Sequence, residues 1–216
     1  MKYLFVFLVL GLMVSCGDAT GDATGDDFKT SEQPKCDDIE GFNRGTYHSR
    51  KEVPKDYTGV VKSCEEGKVI YLSNYKDGKK EGLERAWNEN GQLKFENNYK
   101  DGELDGLSRA WNENGQLEFD GNFKDGELDG LSKWYHENGQ LKLEKKFKDG
   151  KLDGLFRNWL ENGQLEFDGN FKDGELDGLS KWYHENGQLK LEKNLKDGET
   201  ISSKCWDENG NEIDCD

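Results

Sequence analysis

The sequence predicts an all-β protein: a single elongated, twisted antiparallel meander of repeated β-hairpins, with no significant helix apart from an N-terminal apolar run. Three observations predict it. The phrase Glu-Asn-Gly-Gln-Leu occurs five times, and its glycines, Gly91, Gly115, Gly139, Gly163 and Gly187, are each 24 residues apart. Apolar and polar residues alternate with period two on both sides of each Asn-Gly, as in half-buried strands joined by a turn. No stretch carries a convincing helical period. Weaker copies of the phrase, Glu66-Gly67-Lys68-Val69 and Glu208-Asn209-Gly210-Asn211, lie 24 residues before and 23 residues after the regular set.

The elements follow in order. Lys2 and the 12-residue apolar run Tyr3 to Val14 have the form of a targeting segment over residues 1–15, too short to span a bilayer comfortably. Leu12-Met13-Val14-Ser15-Cys16 resembles the lipobox of bacterial lipoproteins, with Met13 where Leu is usual. The resemblance implies cleavage after Ser15, a lipid on Cys16, and anchoring to the bacterial cell envelope, at the outer membrane or the cell surface. Residues 16–35 contain Gly-Asp-Ala-Thr twice and read as an acidic disordered tether. Residues 36–62 form an N-terminal cap, 63–198 the repeat array and 199–216 a C-terminal capping hairpin.

Composition narrows the class. Of 216 residues 35% are charged and 32% hydrophobic, so a thick core is not expected; 12% are aromatic, which argues against disorder. The net charge of −15 makes nucleic acid and anionic lipid surfaces poor partners, and leaves a basic protein or a neutral ligand open. Export implies oxidation of Cys36, Cys64, Cys205 and Cys215. Four cysteines allow three pairings, the simplest being Cys36–Cys64 and Cys205–Cys215, one staple at each end of the array. A zinc site is the weaker rival, because no CxxC or neighbouring histidine supports it.

Side-chain parity predicts the hairpin register. A three-residue loop Glu89-Asn90-Gly91, with Gly91 left-handed after a type I turn, puts Trp87 opposite Leu93 and Arg85 opposite Phe95. The same test predicts an odd second loop, either Lys100-Asp101-Gly102 or Lys100 to Leu104, with Phe95 facing Leu107 or Arg109. One face then carries Trp87, Trp111, Tyr135, Trp159 and Tyr183 together with Phe95, Phe119, Leu143, Phe167 and Leu191. Arg85, Arg109, Lys133, Arg157 and Lys181 share it and lie across the rings. Trp134 and Trp182, out of phase, point to the opposite, polar face as a candidate binding surface.

The order aromatic, Glu-Asn-Gly-Gln-Leu, aromatic, Lys-Asp-Gly and then Gly106 resembles the MORN-repeat variant, found in bacterial proteins often grouped as YwqK-type antitoxins. The resemblance covers about Lys62 to Asp216, some seven units with the first and last degenerate. It implies the repeat fold, and through the antitoxin grouping an immunity role. Gly115 to Lys145 recurs unchanged as Gly163 to Lys193, a tandem duplication that argues against one unique central pocket.

Catalytic and metal chemistry find little support. Asp101-Gly102-Glu103-Leu104-Asp105-Gly106 has a calcium-loop look, but the twelfth positions are Asn112, His136 and His184 rather than Glu. His136 and His184 lie four strands apart, roughly 19 Å, too far to share a metal. With His48 they read as ordinary surface residues. No serine sits in a nucleophile elbow and no Gly-rich loop opens a helix. The aromatic ladder reads chiefly as the core of a thin sheet, with stacking on a glycan as the functional alternative.

The expectation is therefore a membrane-anchored, non-catalytic lipoprotein that works by protein binding, with no catalytic residues, no metal and no cofactor. An immunity or antitoxin protein neutralising a basic toxin is the alternative, and a glycan-binding surface protein a further one.

Overall fold

The computed structural model of the chain describes residues 32–45 and 51–215. The targeting segment, Cys16, most of the tether and His48 lie outside them. Strand is the dominant structure of the described residues. A single 3-10 turn (Cys36–Asp38) precedes β1 (Phe42–Asn43), β2 (Gly59–Glu65), β3 (Lys68–Lys76) and β4 (Lys79–Trp87). Then come β5 (Leu93–Lys100), β6 (Glu103–Trp111), β7 (Leu117–Lys124), β8 (Glu127–Leu128), β9 (Gly130–Tyr135) and β10 (Leu141–Lys148). The rest are β11 (Lys151–Trp159), β12 (Leu165–Lys172), β13 (Glu175–Leu176), β14 (Gly178–Tyr183), β15 (Leu189–Lys196), β16 (Glu199–Trp206) and β17 (Glu212–Ile213). Among the described residues all seventeen join one sheet, an antiparallel meander in chain order except that β1 lies parallel against β2.

Two kinds of turn alternate. In the first, Asn88 N–H donates to the Gln92 carbonyl and Gly91 N–H to that of Asn88. Gly91 has φ +85°. This is the expected three-residue loop, with Trp87 opposite Leu93. The second turn differs from the expected odd loop. Lys100 faces Glu103 across a two-residue loop, with Asp101 at φ +52° and Gly102 at φ +94°, a type I′ turn. Glu66-Gly67 also forms a two-residue loop, so the first weak copy of the repeat phrase does not turn like the others.

Bulges alter the rest of the register. Ala86 faces Phe95 and Arg85 faces Glu96, leaving Lys94 as an extra residue. The same shift recurs between Ala110 and Trp111, Trp134 and Tyr135, Asn158 and Trp159, and Trp182 and Tyr183. In the regular units a wider bulge follows the type I′ turn: Tyr99 faces Leu104, while Asn97 already faces Ser108. Phe95 therefore faces Ala110, rather than Leu107 or Arg109. Unbroken alternation puts Leu93 and Phe95 on one face; the extra Lys94 separates them.

The single aromatic stripe is thus split. One face, the ring face, carries Phe95, Phe119, Trp134, Phe167 and Trp182. On the other, Trp87 is buried against Val69 and Leu72, and Leu93 packs against that cluster. This second face also carries the basic residues. They share it with Trp87 and stand on the opposite side of the sheet from Phe95 and Phe119. Paired in register, Arg85, Glu96, Arg109, Asp120, Lys133, Glu144, Arg157, Asp168, Lys181, Glu192 and Lys204 form one row of alternating charge. Arg85 and Glu96 make the tightest pair at 2.6 Å, and Arg157 reaches both Glu144 (3.7 Å) and Asp168 (3.0 Å). Each opposite-charge pair contributes about 0.2–1 kcal/mol, and a one-residue slip sets like beside like or apolar beside charge, so the row fixes register more than it adds stability.

The two ends differ. At the first, a disulfide joins Cys36 to Cys64, Cys36 and Ile39 pack on the Val69–Leu72–Trp87 cluster, and Lys62 Nζ donates to the Cys36 and Ile39 carbonyls. At the last, Cys205 is bonded to Cys215 and β17 pairs only with Cys205 and Trp206.

Candidate functional site

The ring face gathers aromatic side chains from six strands. Phe119 and Phe123 come from β7, Trp134 from β9, Phe147 from β10, Phe156 from β11, Phe167 and Phe171 from β12 and Trp182 from β14. Their contacts form two clusters. Phe119 meets Phe123 at 6.3 Å and Trp134 at 5.2 Å, and Trp134 meets Phe147 at 6.4 Å between centroids. Phe156 meets Phe167 at 5.1 Å and Phe171 at 5.6 Å, and Phe167 meets Trp182 at 4.9 Å. All are tilted or edge-on, the arrangement favoured by the ring quadrupole.

Lys145 bridges the clusters, its ammonium 5.5 Å from the Trp134 ring centre and 4.9 Å from that of Phe156. Lys193 stands 6.0 Å from Trp182, the duplicated counterpart of Lys145 and Trp134. Of the eight rings only Phe167 is buried, and the other seven are half-buried. The rings press onto the backbone beneath. Ser132 and Ser180 are fully covered at 0% exposure, and their hydroxyls have no partner among the described residues.

Trp134 and Trp182 consequently do not project from a polar face. Trp134 faces Phe119 on one side and Leu143 on the other, and Trp182 faces Phe167 and Leu191. The bulge next to each hairpin shifts parity by one residue, so residues out of phase with Trp87 belong with the phenylalanines. The two tryptophans are members of the band.

A second constellation is not evident from periodicity. Glu84, only 2% exposed, accepts from Tyr71 Oη at 2.7 Å, from Lys80 Nζ, and from Asn97 Nδ2 at 3.1 Å. Ser108 Oγ donates to Asn97 Oδ1 at 2.7 Å, and Lys80 Nζ lies 4.4 Å from the Tyr99 ring centre. Burial alone pushes the Glu84 carboxyl up, but the hydrogen bonds from Lys80, Tyr71 and Asn97 and the Lys80 charge outweigh it and hold the group below its ordinary value. Burial also pushes Lys80 down, yet its bond to Glu84 and that group's charge leave it raised. Burial and the Glu84 charge raise Tyr71. A sequence signal was present: Glu84 stands where the other units have Ser108, Ser132, Phe156 and Ser180.

Beside the first three-residue turn lies a cleft of about 610 Å³, lined by Glu65, Ile70, Trp87, Asn88, Glu89, Asn90, Lys94 and Glu113. Its lining is acidic, in keeping with the net charge of −15. His136 and His184 tie units together rather than standing free on the surface: His136 Nε2 lies 2.8 Å from the Trp159 carbonyl and His184 Nε2 2.9 Å from that of Trp206. Among the described residues no three His, Cys, Asp or Glu side chains converge as metal ligands.

The family described as MORN repeat variant matches residues 80–101, 104–125, 128–149, 152–173 and 176–197, just over half of the chain. None of the curated proteins compared with the chain matches it. The chain belongs to the MORN repeat variant family.

Proposed function

We propose that this MORN-variant protein is a non-catalytic binding scaffold, exported and held at the cell envelope by a lipid on Cys16, whose repeat sheet engages a protein partner. The observation that carries the reading is the half-buried ring band on one face of the sheet. Contiguous apolar surface of this kind marks interaction sites, and tryptophan is prominent among the residues that anchor them. A stack of like units offers an extended surface, in contrast to the convergent unlike groups that catalysis requires. The distributed negative charge favours a basic partner and rapid encounter with it.

The test is capture from envelope extracts by the full chain, compared with Trp134→Ala and Trp182→Ala. A partner retained by the wild type and lost from both variants supports the reading; equal retention by the variants overturns the role of the band. Radiolabelled palmitate that labels the wild type but not Cys16→Ala supports the anchor. A wild-type chain that stays unlabelled ends it.

A second reading, an immunity or antitoxin protein, is favoured by the acidic charge. It requires the captured partner to be a basic toxic domain whose activity falls when the chain is added. An inert partner excludes it.

A further inference from the structure

The last unit departs from the others at its edge strand. In the preceding units a glycine with positive φ, such as Gly154 at +112° or Gly178 at +85°, sits in the wide bulge after the type I′ turn. In two of the units, the strand breaks there into two pieces, β8 and β9 or β13 and β14. One residue is missing from the last unit, and Thr200-Ile201-Ser202-Ser203 replaces the Leu-Asp-Gly-Leu-Ser of Leu176 to Ser180. The bulge shrinks to one residue: Thr200 faces Leu195, Ser202 faces Asn194, and Ile201 is the extra residue. β16 is therefore continuous over eight residues.

Among the described residues the outer edge of this strand is open. On that side β17 pairs with Cys205 and Trp206 alone, and every residue from Glu199 to Lys204 is exposed, Ile201 at 61%. A row of unpaired backbone N–H and C=O groups is a template for another strand. The edge at the opposite end is covered in part by β1 and by the bridge of Lys35 to Lys68.

We propose that the open edge of β16 pairs antiparallel with the same edge of a second copy, joining two sheets about a two-fold axis. Charge and parity together select this occupant. The extra residue Ile201 brings Glu199 and Lys204, five apart, to the same face; on an unbroken strand they would point to opposite faces. Thr200 and Ser203 share the other face by the same shift. In an antiparallel pair centred between Ile201 and Ser202, Glu199 of each copy stands opposite Lys204 of the other, and Thr200 opposite Ser203. Every such pair agrees in face.

The joined rows then alternate in sign without interruption. Glu192 lies beside Lys204, which lies beside the second copy's Glu199 and then its Lys196. Within one chain Lys204 has Glu192 as its strand neighbour and, among the described residues, makes an ion pair with the exposed Glu212 at 3.8 Å, a contact of little worth in water. A two-fold contact is self-complementary by construction, and this edge carries one acid and one base at symmetric positions.

The test is analytical ultracentrifugation of the full chain in nonionic detergent, with hydrogen exchange as a second readout. The wild type is expected to dimerise reversibly, with amide exchange at residues 199–204 slowing as concentration rises. Glu199→Lys and Lys204→Glu each turn two attractive pairs into two repulsive ones, and each weakens dimerisation about tenfold. The double variant Glu199→Lys with Lys204→Glu restores it. Both substitutions fall on exposed side chains, and an unchanged melting temperature shows the fold intact. A monomer up to about 500 μM, far above the Kd expected of a specific dimer, overturns the proposal. So does a dimer indifferent to the single reversals, or a double variant that stays monomeric.

Discussion

Phe119 lies across Gly121 so closely that a Cβ on the glycine would sit 2.5 Å from the ring's Cζ. The duplicated pair repeats the arrangement, with 2.6 Å from Gly169 to Phe167. In the hairpins that alternate with these the same two positions are Leu143 and Lys145, and Leu191 and Lys193. The rings of Phe119 and Phe167 reach along the strand and leave no room for a side chain at the glycine, whereas Leu143 and Leu191 stand beside lysines and Phe95 beside Asn97. Gly121→Ala is expected to destabilise the protein by about 1–3 kcal/mol through overpacking. Adding Phe119→Leu should recover part of that loss, the rest being the contact of the new Cβ with the Ser132 hydroxyl at 2.7 Å. Urea denaturation of the four proteins measures the coupling, and strictly additive effects would refute the steric account.

Arg157 lies between Glu144 and Asp168 in the charge row. Arg157→Glu places three acids side by side and should lower stability by about 1 kcal/mol at low salt. The loss should shrink in 1 M salt, where the Debye length falls to about 3 Å. A loss independent of salt would point instead to the packing of the arginine stem.

Glu84 and Lys80 give opposite pH limbs. Glu84 is held below its ordinary value of 4.5, so its contribution is present above that value and is lost as pH falls through the lower folded value. Lys80 is raised above 10.5, so its contribution is present below that pH and is lost as pH climbs through the folded value. Glu84→Gln should cost about 1–3 kcal/mol at neutral pH. The stability difference from wild type should be flat in mid-range and narrow below pH 4.5, which denaturation midpoints against pH will show. A difference that stays constant into acid would mean that the charge contributes nothing.

The two disulfides should differ in effect. Cys36–Cys64 closes a separation of 28 residues and ties the cap to the buried Val69–Leu72–Trp87 cluster. Replacing both cysteines by serine should cost about 2–4 kcal/mol and open β2 and β3 to hydrogen exchange. Cys205–Cys215 spans 10 residues on an exposed hairpin, and its loss should be milder and confined to β16 and β17. Equal losses from the two replacements would show that the cap is not the stronger tie.

Much of the architecture was legible in the residues. The beat of Gly91, Gly115 and their successors marked the three-residue turns, and the exposed Asn-Gly chemistry sets that turn locally. The pairing of Trp87 with Leu93 followed from it. The faces beyond the turn were not legible, because alternation assumes an unbroken strand. Lys94 is one residue too many on its strand, and nothing in its own chemistry announces a bulge. Trp134 and Trp182 do lie on the face opposite Trp87, but that face is the ring band rather than a polar surface, because the bulge moves Phe95, Phe119 and Phe167 onto it. Glu84 was visible as an exception among serines, but its partners Tyr71, Lys80 and Asn97 come from three different strands.

By itself, the sequence determined the repeat, the turn types built on Asn-Gly, and the all-β meander, since these depend on contacts within a few residues. It also held every member of the charge row, unrecognised. Tertiary structure alone decided which residues share a face. Facing is a property of register between strands, and each bulge resets it by one residue. That shift turned a supposed aromatic-and-arginine stripe into a ring band on one side and an alternating ladder of ion pairs on the other.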